Sequence, residues 1–429
     1  MRRLLPPIGR DAWLALGMNT LSCLGSGLTM PFLLVYLHSV RGLPLPTAGL
    51  ILATIGVAGL VVIPLTGPLV DRVGALRAFV GGLVLGGIGI ALFAPATTIW
   101  AAFGAAVVYG CSGGLTWNSF ATLLSRLAPP AERGAVFALR YTSANAAFGA
   151  GALIAGLVTV GETPGPYIAV LLIDGLSYLL FAAAMLLIRV DLPPPPAATG
   201  GYGPVLRDRA LLGAVLANTL FTVFALAQTS TIFAAWVTGP GESTAQVAGL
   251  AFALNIAVLL LAQLPILAWA RGRSRPRVAA LAGLVFAASW LVLASGVGKA
   301  GLIVGALGIF ALGEALLSPT LPALANDLAP EELRGRYNAV FALSQQLGPV
   351  VAPVLGGFAL GHGLGVPYLG VLAALCLVAS GVALSLRRGL TTAADTGASG
   401  QPDDIAPIKT RAKHGRDRGS SPAGASESS

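Results

Sequence analysis

Long apolar runs, broken by short clusters of glycine, proline and arginine, recur along this 429-residue chain. Taken as runs and interruptions, they cover 12–37, 46–70, 77–95, 98–127, 134–160, 166–190, 210–238, 244–270, 276–297, 299–328, 335–361 and 365–387. A helix of roughly 20 residues crosses a hydrocarbon core about 30 Å thick, so twelve such runs predict twelve spans. Lipid offers backbone amides no partner and the alternation of a barrel strand is missing, so the spans are expected to be helices. The stretch Trp13 to Leu37 follows a basic start, but it is too long for a signal-peptide core and lacks a convincing cleavage site. It is expected to remain as the first span.

Composition agrees with this pattern: 55% of residues are hydrophobic and 10% charged, where soluble domains carry about 25% charged residues. The net charge of +9 could signal a nucleic-acid partner, but the positives fall between apolar spans, which makes them topology markers and removes that class. The N-terminus and alternate loops hold Arg2, Arg3, Arg10, Arg72, Arg77, Arg126, Arg133, Arg207, Arg209, Arg271, Arg273, Arg275, Arg277, Arg334, Arg336, Arg387 and Arg388, against Arg41 and Lys299 in the opposite loops. The positive-inside rule then places both termini in the cytoplasm of a bacterial inner membrane. Cys23, Cys111 and Cys376 lie in apolar runs and suit packing rather than a disulfide or zinc site. His38, His362 and His414 have no metal-ligand spacing.

The chain divides into a six-span bundle over 1–190, a linker over 191–209 with four consecutive prolines, a second six-span bundle over 210–388, and a tail over 389–429. The tail lacks the apolar content to fold and is expected to be disordered. The halves are related. "LAPPAERG" at 127–134 and "LAPEELRG" at 328–335 share L-A-P-x-x-x-R-G, including Arg133-Gly134 and Arg334-Gly335, and the same offset pairs Pro64 with Pro265. Asn19-Thr20-Leu21 answers Asn218-Thr219-Leu220 after a small shift. Membrane proteins built from repeats place their ligand site between the halves near mid-membrane.

The loop after the second run reads "GPLVDRVGALR". Its pattern of Gly67, Asp71, Arg72, Gly74 and Arg77 resembles the loop signature of the Major Facilitator Superfamily of transporters, and the twelve spans, central linker and LAPxxxRG repeats are similar to the same family. The resemblance implies an all-α fold of two pseudo-symmetric six-helix bundles and no enzymatic activity. It also implies that Asp71 faces the start of the eleventh helix and latches the inner side, a carboxylate being favoured at a helix N-terminus. Ala75 and Leu76 stand where the family has a further basic residue, and the second-half loop "ARGRSRPR" lacks the acid.

An ionised group in the bilayer core costs about 3 kcal/mol or more, so acids within spans need a reason. Glu314 lies mid-span in the tenth run, one of the helices that line the cavity in the family. It either carries a coupling proton or tethers neighbouring helices. Asp174, in the sixth run, is a second proton candidate, with helix packing as the alternative. Arg140 either snorkels to the membrane edge or pairs with an acid across the bundle. Asn19, Trp117, Asn118, Asn218 and Gln228 fall on presumed cavity helices and are candidates for a polar and aromatic substrate site, although each could instead bond helix to helix. "LGPVVAPVLGG" at 347–357 resembles the antiporter signature of the family, displaced from the fifth span to the eleventh, where the fifth has Ala152 in place of proline.

The expected function is secondary transport by alternating access: efflux of small lipophilic or drug-like compounds, driven by the proton gradient and without a cofactor. The expected partners are the substrate, protons and the bilayer, with the protein acting as a monomer. A proton-linked importer or uniporter of a sugar or other metabolite is the alternative, and an integral membrane enzyme a remote one. No phosphate-binding G-x-x-x-x-G-K-[ST] loop occurs, so an ATP-driven pump is excluded.

Overall fold

A computed structural model describes residues 7–159, 161, 163–188, 203–330 and 333–396. Among these, twelve helices are long and apolar enough to span a membrane. They are α1 (Arg10–Val40), α2 (Leu45–Val70), α3 (Ala75–Leu92), α4 (Ile99–Leu127), α5 (Arg133–Val158), α6 (Pro164–Leu186), α7 (Arg209–Thr231), α8 (Ala245–Ala270), α9 (Arg275–Ala294), α10 (Ala300–Leu328), α11 (Arg334–Gly361) and α12 (Gly365–Arg388). These bounds fall within a few residues of most runs read from sequence. The twelve crossings bring the starts of α1 and α7 and the ends of α6 and α12 to one end, called here the linker end; the opposite end is the far end.

Local chemistry sets the helix limits. Thr98 caps α4 by accepting from the Ala101 amide at 3.2 Å, and Asp208 caps α7 by accepting from Ala210 at 2.9 Å and Leu211 at 3.2 Å. The other Asp208 oxygen accepts from the Tyr337 hydroxyl at 2.8 Å, tying α7 to α11 at the linker end. Helix α10 is two pieces, Ala300–Leu317 and Thr320–Leu328, because Pro319 has no N–H to continue the ladder. Helix α1 narrows to a 3-10 turn at Met30–Phe32 beside Pro31, and the related α7 ends at Thr231 before a further helix at Phe233–Thr238.

Each half has an aromatic core: Phe79, Phe120 and Phe181 in the first, and Phe286, Trp290 and Phe310 in the second. The halves meet along α2 against α11 and α5 against α8. A Cβ on Gly49 would fall 2.2 Å from the Pro353 carbonyl oxygen, and one on Gly156 would fall 2.8 Å from the Gly249 Cα. Only residues without side chains permit backbones this close. Within "LGPVVAPVLGG", Pro349, Val350, Pro353 and Gly357 therefore form the α11 face that receives α2, while Gly348 and Gly356 meet Thr222 and Ile232 of their own half. Both contacts lie toward the far end, where Pro31 to Leu37 and Phe233 to Val237 are buried without interruption. Gly67, Gly134 and Gly335, at the linker end, have open space where a Cβ would stand.

The tail departs from expectation at its start. After the 3-10 turn at Leu386–Gly389 that closes α12, Thr392–Thr396 forms a short helix, α13. A carboxylate contact holds it: Asp395 accepts from the Ser274 hydroxyl at 2.5 Å. The proline stretch of the linker and the tail after Thr396 lie outside the described residues.

Candidate functional site

The polar face of α5 reaches both halves. Its sequence, "RYTSAN" at 140–145, is unusually polar for a spanning helix. Ser143 accepts from the Thr20 hydroxyl of α1 at 3.0 Å. Tyr141 lies near Ser318 at the α10 break and near Glu314, and its backbone carbonyl accepts from the Asn145 amide at 2.8 Å. A carboxyl from the second half and a phenol from the first thus come together at the boundary between bundles. Glu314 is half-buried there.

Arg140, beside Tyr141, points into the first half. Its guanidinium lies 4.7 Å from the Phe120 ring centre and 5.8 Å from that of Trp117. Such cation–π contacts contribute about 0.5–2 kcal/mol. Neither the snorkelling nor the ion pair expected from sequence describes it: it is the cation of an aromatic corner formed by α4 and α5. Trp117 itself is 56% exposed. This corner therefore offers one exposed aromatic face, Trp117, beside a guanidinium, while Phe120 is buried; such a pair suits an amphipathic molecule.

Several residues singled out in the sequence are instead buried in contacts within one half. Asn19 reaches Cys23 at 3.7 Å, Asn218 donates to Ser344 at 2.7 Å, and Gln228 donates to the Val223 carbonyl at 3.0 Å. These amides pair helices or turns and are not open to the boundary in this conformation. Asp174 is fully buried between α6 and α1, where one oxygen accepts from the Thr29 hydroxyl at 2.6 Å and the other has no partner among the described residues. It lies apart from the Glu314 corner. The side chains of Asn118 and Asp71 lie outside the described residues. Tyr141, Ser143 and Ser318 were missed in the sequence, although the polarity of 140–145 was visible there.

At the linker end, Gly74 adopts φ +88° between α2 and α3, a conformation that favours glycine, while Arg72 and Arg77 are exposed on either side. Arg133 donates to the Ser125 carbonyl at 2.8 Å, which folds the first LAPxxxRG loop back on α4. Arg334 is exposed at the start of α11. In the second half Arg275 pairs with Asp327 at 2.8 Å. Among the described residues no group of histidine, cysteine and carboxylate side chains could hold a metal ion.

The fold is shared with known proteins. The chain is 25% identical over 342 residues to the "Uncharacterized MFS-type transporter YqjV" of Bacillus subtilis, covering 78% of this chain and 82% of that one. It is 26% identical over 308 residues to "Multidrug resistance protein MdtH" of Photorhabdus laumondii, covering 71% and 75%. Among solved structures, the nucleoside transporter NupG superposes with a TM-score of 0.72 at 13% identity, over 89% of this chain and 100% of that chain. A POT family transporter in complex with 5-aminolevulinic acid gives 0.73 at 16%, over 90% and 99%. At such identities the superpositions speak for the fold. The Major Facilitator Superfamily profile matches residues 15–240 and 219–418, and with that match the chain, a twelve-helix membrane transporter in two related halves, belongs to the Major Facilitator Superfamily.

Proposed function

We propose that the protein is a proton-coupled exporter of small lipophilic or drug-like compounds in a bacterial inner membrane, with both termini cytoplasmic. The observation that carries this reading is Glu314, a carboxyl set at the boundary between halves and facing Tyr141 of the other bundle. A proton taken up on the far side would neutralise Glu314 and favour closure around it; release to the linker side would leave a carboxylate, which favours water or a cationic substrate group. Substrate and proton would thus use the boundary in alternation as the halves rock. The similarity to MdtH supports export, and the arginine-rich loops at the linker end support the orientation.

Inverted vesicles test this. With an imposed proton gradient, wild-type vesicles should accumulate a lipophilic dye, and Glu314→Gln should lose gradient-driven accumulation while still inserting and folding. Undiminished accumulation by Glu314→Gln would remove the proton role. The competing reading, uptake of a small metabolite, draws on the fold shared with nucleoside and peptide transporters. It requires the opposite direction of net flux in the same vesicles.

A further inference from the structure

A second cavity, of about 270 Å³, lies at the linker end where α8 finishes, α9 begins and the terminal piece of α10 passes. Leu267, Val278 and Ala323 give it apolar walls, and Arg271 and Arg275 line the same space. Arg275 is 18% exposed in its side chain. One of its terminal nitrogens binds Asp327, and the other, Nη1, is buried with no partner among the described residues. A guanidinium nitrogen left this way costs about 1–3 kcal/mol, which an acceptor in the cavity would offset.

The local charge balance also favours an anion. The stretch 271–277 carries four arginines. Arg273 folds onto Trp269, with its guanidinium 4.4 Å from the ring centre. Asp327 is matched by Arg275, and Asp395 of α13 is engaged by Ser274. Four arginines against Asp327 and Asp395 leave two positive charges in excess, and Arg271 pairs with no carboxylate among the described residues. The Arg275 and Arg277 amides at the start of α9 add donors, Pro276 having none, because Ser274 turns its hydroxyl to Asp395 and makes no cap.

We infer that this cavity binds the phosphate group of an anionic phospholipid, with Arg271 and Arg275 on the phosphate and the apolar walls against the first acyl carbons. Apolar walls beside arginines at the end of spanning helices suit an amphiphile at the membrane edge rather than a fully solvated anion. The site also bears on transport geometry. Thr320 lines it immediately after the Ser318–Pro319 break, so a lipid seated there holds the terminal piece of α10 against α9, below the corner where Ser318 meets Tyr141.

The test uses the full-length protein in maltoside micelles, following its unfolding midpoint while dioctanoyl phosphatidylglycerol, dioctanoyl phosphatidylcholine or inorganic phosphate is titrated. Phosphatidylglycerol should raise the midpoint by about 3 °C more than phosphatidylcholine. Arg271→Gln, which leaves the Arg275–Asp327 pair in place, and Ala323→Phe, which fills the cavity, should each abolish the difference. Arg207→Gln, elsewhere on the same end, should preserve it. An equal response to inorganic phosphate, lost in Arg271→Gln, would keep the phosphate site and assign its ligand to solution. The inference is overturned if neither phosphatidylglycerol nor phosphate stabilises the protein, if Arg271→Gln retains the full gain, or if Arg207→Gln abolishes it equally.

Discussion

At the scale of single residues, the two carboxyls within the spans illustrate how position decides role. Asp174 touches α1 so closely that a Cβ on Gly25 would lie 2.6 Å from its Oδ1. Asparagine keeps the shape and the acceptor for Thr29, so Asp174→Asn should unfold within about 1 kcal/mol of wild type, whereas Asp174→Leu, which leaves Thr29 only the longer bonds to the Gly25 and Ser26 carbonyls and crowds Gly25, should lose about 2–3 kcal/mol. Thermal unfolding of the purified variants measures the difference; equal losses would mean that the Thr29 bond contributes nothing. The sequence identified both acids as residues needing an explanation, because charge within an apolar run is costly wherever it points. It did not identify which face each residue occupies. Lipid and protein interior are similarly apolar, so a spanning helix carries little of the amphipathic stripe that orients a soluble one. For that reason Asn218 and Gln228 looked like cavity residues and proved to be bonded within their own half.

At the scale of the element, α10 is the informative helix. Its counterpart α4 runs unbroken over Ile99–Leu127, while α10 is interrupted at Ser318–Pro319. Pro319→Ala would restore an N–H able to reach the Ala315 carbonyl and so favour a continuous helix. If the break lets the terminal piece swing during transport, turnover should fall severalfold while dye binding at equilibrium changes little. A parallel loss of binding would instead make the break part of the substrate site. The helices and most of their ends were legible from run length and from Thr98, Asp208 and the prolines. The contact between Tyr141 and Ser318 was not, because it depends on how two helices from different halves are rotated toward each other.

At the scale of the whole molecule, alternating access requires that contacts between halves break at one end as they form at the other. The glycine contacts of α2 with α11 and α5 with α8 are the ones that hold the far end together in this structure. Near them a cavity of about 300 Å³, lined by Ser39, Tyr167, Thr238 and Gln246, opens between the end of α1, the start of α6, the helix at Phe233–Thr238 and the start of α8. A side chain at Gly156 has nowhere to go, since its Cβ would also fall 2.6 Å from the Ala245 carbonyl oxygen. Gly156→Val should therefore destabilise the far-end-closed state and shift the population toward its opposite. A cysteine placed at Ser39, in a background lacking Cys23, Cys111 and Cys376, reports the shift through its alkylation rate by a membrane-impermeant maleimide added from the far side. The rate should rise severalfold in Gly156→Val, and more slowly reacting Gly67→Val should match the parent, because Gly67 has open space beside it. An unchanged rate in Gly156→Val would mean that the close approach of α5 and α8 does not govern closure, leaving the α2 and α11 contact to carry it alone.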